Sequence, residues 1–213
     1  MPAEILKVNS SNPEANLITY VAERLRAGQV VSVPTDTFYG LAADPVNLRA
    51  VDRIYDIKSR QRQKALSLMI DSIDMAEMLA AEISKDFELL AEKFWPGPLT
   101  IIVRASSRLP LRVTANTGNV ALRVPAAEIP ISIIKAAGFP ITATSANLSG
   151  ESECTTAQEV REQLGERIPL IVDGGTSPRT VASTIVDLSG PDGDWRVIRP
   201  GAISVDDVTA VLG

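Results

Sequence analysis

Histidine is absent from this chain of 213 residues. That removes Ser-His-Asp and Cys-His catalysis and the usual zinc ligand sets. A single cysteine, Cys154, excludes an intrachain disulfide and a cysteine metal cluster. Without a histidine partner it reads as a small packing residue rather than a nucleophile. Aromatic residues make up only 4% of the chain, a poor supply for stacking the bases of a single strand. No apolar run approaches membrane-spanning length. The opening MPAEILKVNSSN carries neither the basic nor the apolar region of a secretory signal, so no membrane association and a cytoplasmic location are expected. No G-x-x-x-x-G-K-[ST] is present, and no G-x-G-x-x-G follows a strand-like run. Phosphate would have to be held by side chains and helix N-termini. With a net charge of −5, the overall field does not favour nucleic acid, so an anion site must be a local feature. Chemistry is left to carboxylates, hydroxyls, amines, guanidiniums or a bound hard cation.

What is present suits one α/β domain spanning 1–213. Hydrophobic residues are 45% of the chain, enough for a sizeable core. Leu17, Ile18, Val21, Ala22 and Leu25 recur at helical spacing after Asn12-Pro13, a cap followed by proline. Leu48, Val51, Ile54 and Tyr55 form a second stripe behind Asn47. Helices are also expected over 72–81, 84–94, 130–137, about 156–164 and 205–211, with Ser84, Thr155 or Thr156, and Ser204 as caps. Strands are expected at 4–8 (an edge), 30–33, 66–70, 99–103, 120–124, 141–145, 169–172, 184–188 and 195–198. The last two read as a hairpin around Gly190-Pro191-Asp192-Gly193. Strands and helices interleave without strict alternation, which favours a twisted mixed sheet with covering helices over a pure βαβ array.

The stretch from Val30 to Ile70 concentrates the polar signals. The run Val30, Val31, Val33 ends at Pro34, and Thr35, Asp36, Thr37, Tyr39 and Gly40 follow where ligands sit in α/β sheets, at a strand's carboxyl end. Beyond a helix come Lys58, Arg60, Arg62 and Lys64, spaced by two. In an extended segment that spacing puts all four on one side, suited to a polyanion such as a triphosphate. The plainer reading is a solvated basic face, with Lys58 or Arg60 complementing a helix C-terminus.

Other candidates lie near predicted strand ends. Thr35, Thr37, Ser145, Asn147, Thr155, Ser183 and Thr184 either cap turns or wall a polar pocket. Arg123, inside the apolar strand VALRVP, needs a partner: a carboxylate of the protein, or a substrate carboxylate or phosphate held bidentately. Arg199 poses the same choice. Asp36, Asp44 and Asp173 are the carboxylates nearest strand ends, and none pairs with another at metal-ligand spacing, so no dedicated metal site is expected. Magnesium would arrive on nucleotide phosphates. Trp95 and Tyr39 are positioned either to stack on a base or to pack.

Seven segments occur in one order: PTDTFYGLAADP, IYDIKSRQRQKALS, FWPGPLTIIV, VALRVP, ITATSANLSG, STIVDLSG and IRPG. Together they resemble the YrdC-like family of threonylcarbamoyl-AMP synthases, from about Val30 to Ile203. The resemblance implies a YrdC-type α/β fold enclosing a deep basic cleft. It implies condensation of L-threonine, bicarbonate or carbon dioxide, and ATP into threonylcarbamoyl-AMP and pyrophosphate, a nucleotidyl transfer. The product feeds N6-threonylcarbamoyladenosine formation in tRNA through a separate transferase. By motif, Lys58, Arg60 and Lys64 would act on the triphosphate, with Arg62 among them. L-threonine would be held by Thr35, Ser67, Arg123, Ser145 and Ser183, with Arg123 on its carboxylate. Nucleotide contacts would come from Asn119, Asn147, Thr155 and Arg199. Magnesium would be carried on the ATP phosphates. After SANLSG, the family's proline-containing run is replaced by Glu151-Ser152-Glu153-Cys154. The chain stops soon after IRPG, so the resemblance is to the short form, without an extra C-terminal domain.

Two other classes compete. One is an RNA-binding YrdC-like module with no adenylation activity, whose basic cleft contacts RNA; overall acidity and sparse aromatics count against it. The other is the carbamoyl-transfer domain of hydrogenase-maturation relatives, which belongs to longer chains with zinc-finger and acylphosphatase-like segments that are not seen here.

Overall fold

In a computed structural model, residues 2–59, 61, 63–178 and 181–213 are described, Asp192 without its side chain. The order is β1 (Glu4–Lys7), α1 (Ala15–Arg26), β2 (Val31–Val33), β3 (Gly40–Ala42), α2 (Leu48–Lys58), β4 (Ser67–Met69), α3 (Ile73–Leu79), α4 (Lys85–Phe94), β5 (Leu99–Arg104), β6 (Asn119–Arg123), α5 (Glu128–Ala137), β7 (Ile141–Thr142), β8 (Thr144–Ser145), α6 (Ala157–Leu164), β9 (Leu170–Asp173), β10 (Thr184–Asp187), β11 (Arg196–Arg199) and α7 (Val205–Leu212). Among the described residues no helix is long and apolar enough to cross a membrane.

The helices start where side chains supply acceptors for the orphan amides of a first turn. Asn47 accepts from the Ala50 amide at 3.2 Å and Ser84 from the Phe87 amide at 3.2 Å. Thr156 and Glu159 cap α6 reciprocally. Gly138, at φ +79°, closes α5 in the left-handed region that favours glycine. One expected cap moves: α1 is entered at Glu14, not Asn12. Asn9 accepts from the amides of Ser11 and Asn12 at 3.0 Å each, which makes a separate turn ahead of the helix.

The mixed sheet expected from the sequence is present as two. One has the order β1-β9-β2-β3-β8, the other β11-β10-β5-β6-β4-β7, and both mix parallel and antiparallel pairs. The run expected as one strand over 141–145 supplies an edge to each. β7 pairs with β4, β8 pairs with β3, and Ala143 lies between them. Thr142 hydrogen-bonds Leu41 O at 2.9 Å while the Ala143 amide donates to Ser67 O at 2.8 Å. The two sheets are therefore stitched at this segment, and the cavity that both of them line forms a crease.

Each face of the second sheet has its own chemistry because side chains alternate along a strand. Leu68, Leu99, Ile101, Val120, Leu122 and Val186 are buried in the core, as are Phe87, Leu90 and Ala91 of α4 and Val208 of α7. The other face carries Ser67, Thr100, Ala121, Arg123 and Ser183 and looks into the crease. Helix α1 packs on α5, α4 on α7 and α6 on β9.

Candidate active site

The crease holds a cavity of about 290 Å³. Its floor is one face of four neighbouring strands. Ser67 of β4 is in register with Ala121 of β6, Met69 with Arg123, and Ile185 of β10 with Thr100 of β5. The wall comes from the other sheet: Thr35 and Thr37 after β2, Gly40 of β3, and Thr144 and Ser145 of β8. Strand alternation thus delivers a row of small and polar groups from segments more than a hundred residues apart.

Arg123 is 7% exposed, and its guanidinium is fixed from three directions. Nε donates to Gly97 O at 2.9 Å, Nη1 to Thr37 Oγ1 at 3.0 Å and Nη2 to Asp36 Oδ1 at 2.6 Å. The choice left open by the sequence therefore has an internal carboxylate on one side, while Arg123 also lines the cavity. Thr35 Oγ1 donates to Phe38 O at 2.7 Å and accepts from the Thr37 amide at 3.0 Å, so the threonine loop is held by its own hydroxyls. The second Asp36 oxygen is buried with no hydrogen-bond partner.

On the far wall, Arg199 donates to Ser183 O at 3.1 and 2.7 Å and to Ser183 Oγ at 3.0 Å. Ser183 Oγ also lies 2.9 Å from Thr100 Oγ1. Burial lowers the guanidinium pKa of Arg199, opposed by the field of Glu153. The glycine of IRPG permits this seat. A Cβ on Gly201 would fall 2.4 Å from Ala182 O and 2.6 Å from the Thr184 amide nitrogen, so only glycine lets the chain pass so close to the Ser183 strand.

Lys58 is not part of an extended basic run. It is the last residue of α2, is 2% exposed, and is followed by Ser59 at φ +51°. A helix end dictates its direction, so the spacing-of-two argument does not reach it. Its ammonium donates to the carbonyls of Ser145 and Asn147, the latter at 2.7 Å, and to Asn147 Oδ1 at 3.0 Å. Ser145 Oγ meets the same Asn147 oxygen at 2.6 Å. Lys58 thereby fixes the Ser145-Ala146-Asn147 turn on the cavity wall. Arg60 and Arg62 lie outside the described residues.

Of the expected site residues, Thr35, Ser67, Arg123, Ser145, Ser183 and Arg199 line one cavity. Lys58 and Asn147 stand behind its wall. Lys64 is exposed beside it, after Tyr55 OH has bonded Lys64 O at 2.9 Å. Asn119 lies two residues along β6 from Ala121 and donates to Ser189 Oγ at 2.9 Å. That serine in turn serves Asp187, whose carboxyl burial would push up but which donors from Ser189 and Arg196 hold below its usual value. Thr155 bonds Glu159 at the start of α6 and Thr156 is the cap proper. Asp44 and Asp173 serve local turns, accepting from the amides of Val46 and Gly175.

Tyr39 and Trp95 pack rather than stack. Tyr39 OH donates to Gly175 O at 2.6 Å, and burial with the field of Asp173 raises its phenol. The Trp95 indole donates to Leu99 O at 2.7 Å and stands edge-on to Phe87, with ring centroids 5.3 Å apart. The Cys154 thiol is buried and pushed up to about 11 by burial and then by Glu159. Among the described residues no three His, Cys, Asp or Glu side chains gather as a metal cage. Thr100, Thr144 and Glu153 line the cavity without having been singled out as site residues. Thr100 was detectable as the polar interruption of LTIIV, and Glu153 as part of the run that departs from the family pattern.

A polar cleft between two mixed sheets, with two guanidiniums in its lining and hydroxyls along its floor, defines an α/β protein with one small polar pocket at the meeting of its sheets. The chain belongs to the Sua5/YciO/YrdC family: residues 23–201 match the model of that name, which is described as "Telomere recombination". It is 38% identical to the threonylcarbamoyl-AMP synthase of Pyrococcus abyssi over 92% of this chain. It is also 38% identical to that of Bacillus subtilis over 97% of this chain. It spans only 57% and 59% of those two proteins' own lengths. The crystal structure of P. abyssi Sua5 complexed with L-threonine matches with a TM-score of 0.94 at 36% identity, covering 99% of this chain and 61% of that one.

Proposed function

We propose that this chain is a threonylcarbamoyl-AMP synthase. It condenses L-threonine, carbon dioxide or bicarbonate, and MgATP into threonylcarbamoyl-AMP and pyrophosphate. One observation carries the reading. All five residues assigned to L-threonine, Thr35, Ser67, Arg123, Ser145 and Ser183, line a single cavity, in a chain whose fold matches that of a relative complexed with that amino acid.

In this reading Arg123 takes the threonine carboxylate while Asp36 and Thr37 hold its plane, and the hydroxyls of the floor orient the amino acid. The amine adds to carbon dioxide, forming an N–C bond and releasing a proton. A carbamate oxygen then attacks the α-phosphorus, and the bond to the β-phosphate oxygen breaks as pyrophosphate leaves. The nucleophile is already anionic, so a chain without histidine can run the reaction by positioning and charge stabilisation. Arg199, Arg60, Arg62 and Lys64 meet the phosphates, with magnesium carried on them as part of the substrate. Lys58 contributes its charge from behind the wall and keeps Ser145 and Asn147 in place. Asn119 and Thr155 complete the nucleotide side. The enzyme is then a nucleotidyltransferase of the cytoplasm. Its product passes to a transferase that modifies tRNA adenosine, and RNA contact at the cleft mouth is compatible with that hand-over.

Mass spectrometry of the nucleotide product tests the reading. With L-threonine, ATP and carbon-13 bicarbonate, the expected species is an adenylate carrying threonine and one heavy carbon. Only AMP or ADP, with no labelled adenylate, overturns it.

A further inference from the structure

Glu153 is a carboxylate in a cleft otherwise suited to anions. It lies in the run between β8 and α6, is half-buried, and lines the cavity together with Arg123 and Arg199. Among the described residues of that lining it is the one carboxylate. Asp36, within the threonine loop, bonds Arg123 and is not part of the lining. Arg123 already has the Asp36 carboxylate, whereas Arg199 is seated on neutral oxygens of Ser183. Within the described residues no hydrogen bond or ion pair ties the Glu153 side chain, and its field acts on Arg199 across the lining. Beside Arg199, its negative charge lies on the side of the cleft where the proposed function puts the nucleotide's phosphates. Two anions in such a place repel unless a cation lies between them.

Magnesium is held in nucleotide sites by one or two carboxylates together with phosphate oxygens and waters, not by an all-protein cage. A single half-buried carboxylate opposite a guanidinium matches that division of labour: the guanidinium serves phosphate oxygens, the carboxylate serves the metal. We infer that Glu153 is this chain's own ligand to the magnesium ion carried on the nucleotide, and that it makes the cleft select MgATP over metal-free ATP. The inference rests on reading the cleft as the nucleotide site.

Calorimetric titration of ATP, in excess magnesium and in excess EDTA, tests it without using activity. Wild-type protein is expected to bind MgATP at least tenfold more tightly than metal-free ATP. Glu153→Gln is expected to weaken MgATP about tenfold while leaving metal-free ATP equal or tighter, so the preference collapses. If Glu153→Gln shifts both forms by the same factor, the carboxylate acts on Arg199 or on the general field, and the proposal falls. No change in either form makes Glu153 a solvated charge and also overturns it. Glu153→Asp, which keeps the charge, is expected to retain part of the preference; loss equal to that of Glu153→Gln contradicts metal ligation. Wild-type protein that binds neither form overturns the nucleotide reading itself, and this proposal with it.

Discussion

Arg123 carries its guanidinium on the cleft face of β6, and the apolar strand around it already marked a buried cation in need of a partner. The sequence could not say which partner, because Asp36 is 87 residues away in the chain. The pair is buried, with Asp36 4% exposed, so removing one charge strands the other. Asp36→Asn is expected to lower stability by about 3 kcal/mol, read from the urea unfolding midpoint; an unchanged midpoint contradicts the pairing. Arg123→Met combined with Asp36→Leu removes both charges and is expected to fold within about 1 kcal/mol of wild type yet bind no L-threonine in calorimetry. Binding by that double variant would take Arg123 out of the site. Lys58 was legible as a cation but not in its direction. The spacing of Lys58, Arg60, Arg62 and Lys64 suggested one side of an extended run, whereas the helix reaches Lys58 and turns its ammonium onto the 145–147 turn.

At the level of elements, capping residues were the most readable signals, since each satisfies amides within its own turn. Asn47, Ser84 and Ser204 all stand where the pattern put them. Thr156 and Glu159 close a reciprocal cap, both amides satisfied, just beyond the run that carries Glu153. Thr156→Ala is expected to cost about 1 kcal/mol, a fall of about 2–4 °C in melting midpoint for a chain of this size. Thr156→Ser is expected to restore it, and a melting curve unchanged by Thr156→Ala would mean that α6 does not depend on its cap. Short strands were harder to read. β3 has three residues, too few to establish a period of two, and only its pairing with β2 and β8 defines it. The split of 141–145 between two sheets leaves no local trace either. The same alternation of Ile141, Thr142, Ala143, Thr144 and Ser145 serves one strand or two, and the choice is made by β4 and β3 on either side.

Across the whole molecule, the absences in the sequence define the chemistry as much as its motifs do. A chain without histidine and with a net charge of −5 sets two guanidiniums and a row of hydroxyls in one crease, beside the segment that gives an edge to each sheet. The floor of that crease is assembled from β4, β5, β6 and β10, so the motifs that seem scattered along the chain are neighbours in space. The mixed α/β class and most elements could be read from periodicity, but the second sheet could not, because sheet membership is a matter of which distant strand supplies the hydrogen bonds. The central claim is that this crease joins a threonine-derived carbamate to a nucleotide. Pyrophosphate release from MgATP, with L-threonine and bicarbonate each omitted in turn, tests it most directly. Release that requires both, and falls to background when either is missing, is the result predicted. Release that proceeds without either, or none with both present, would contradict it.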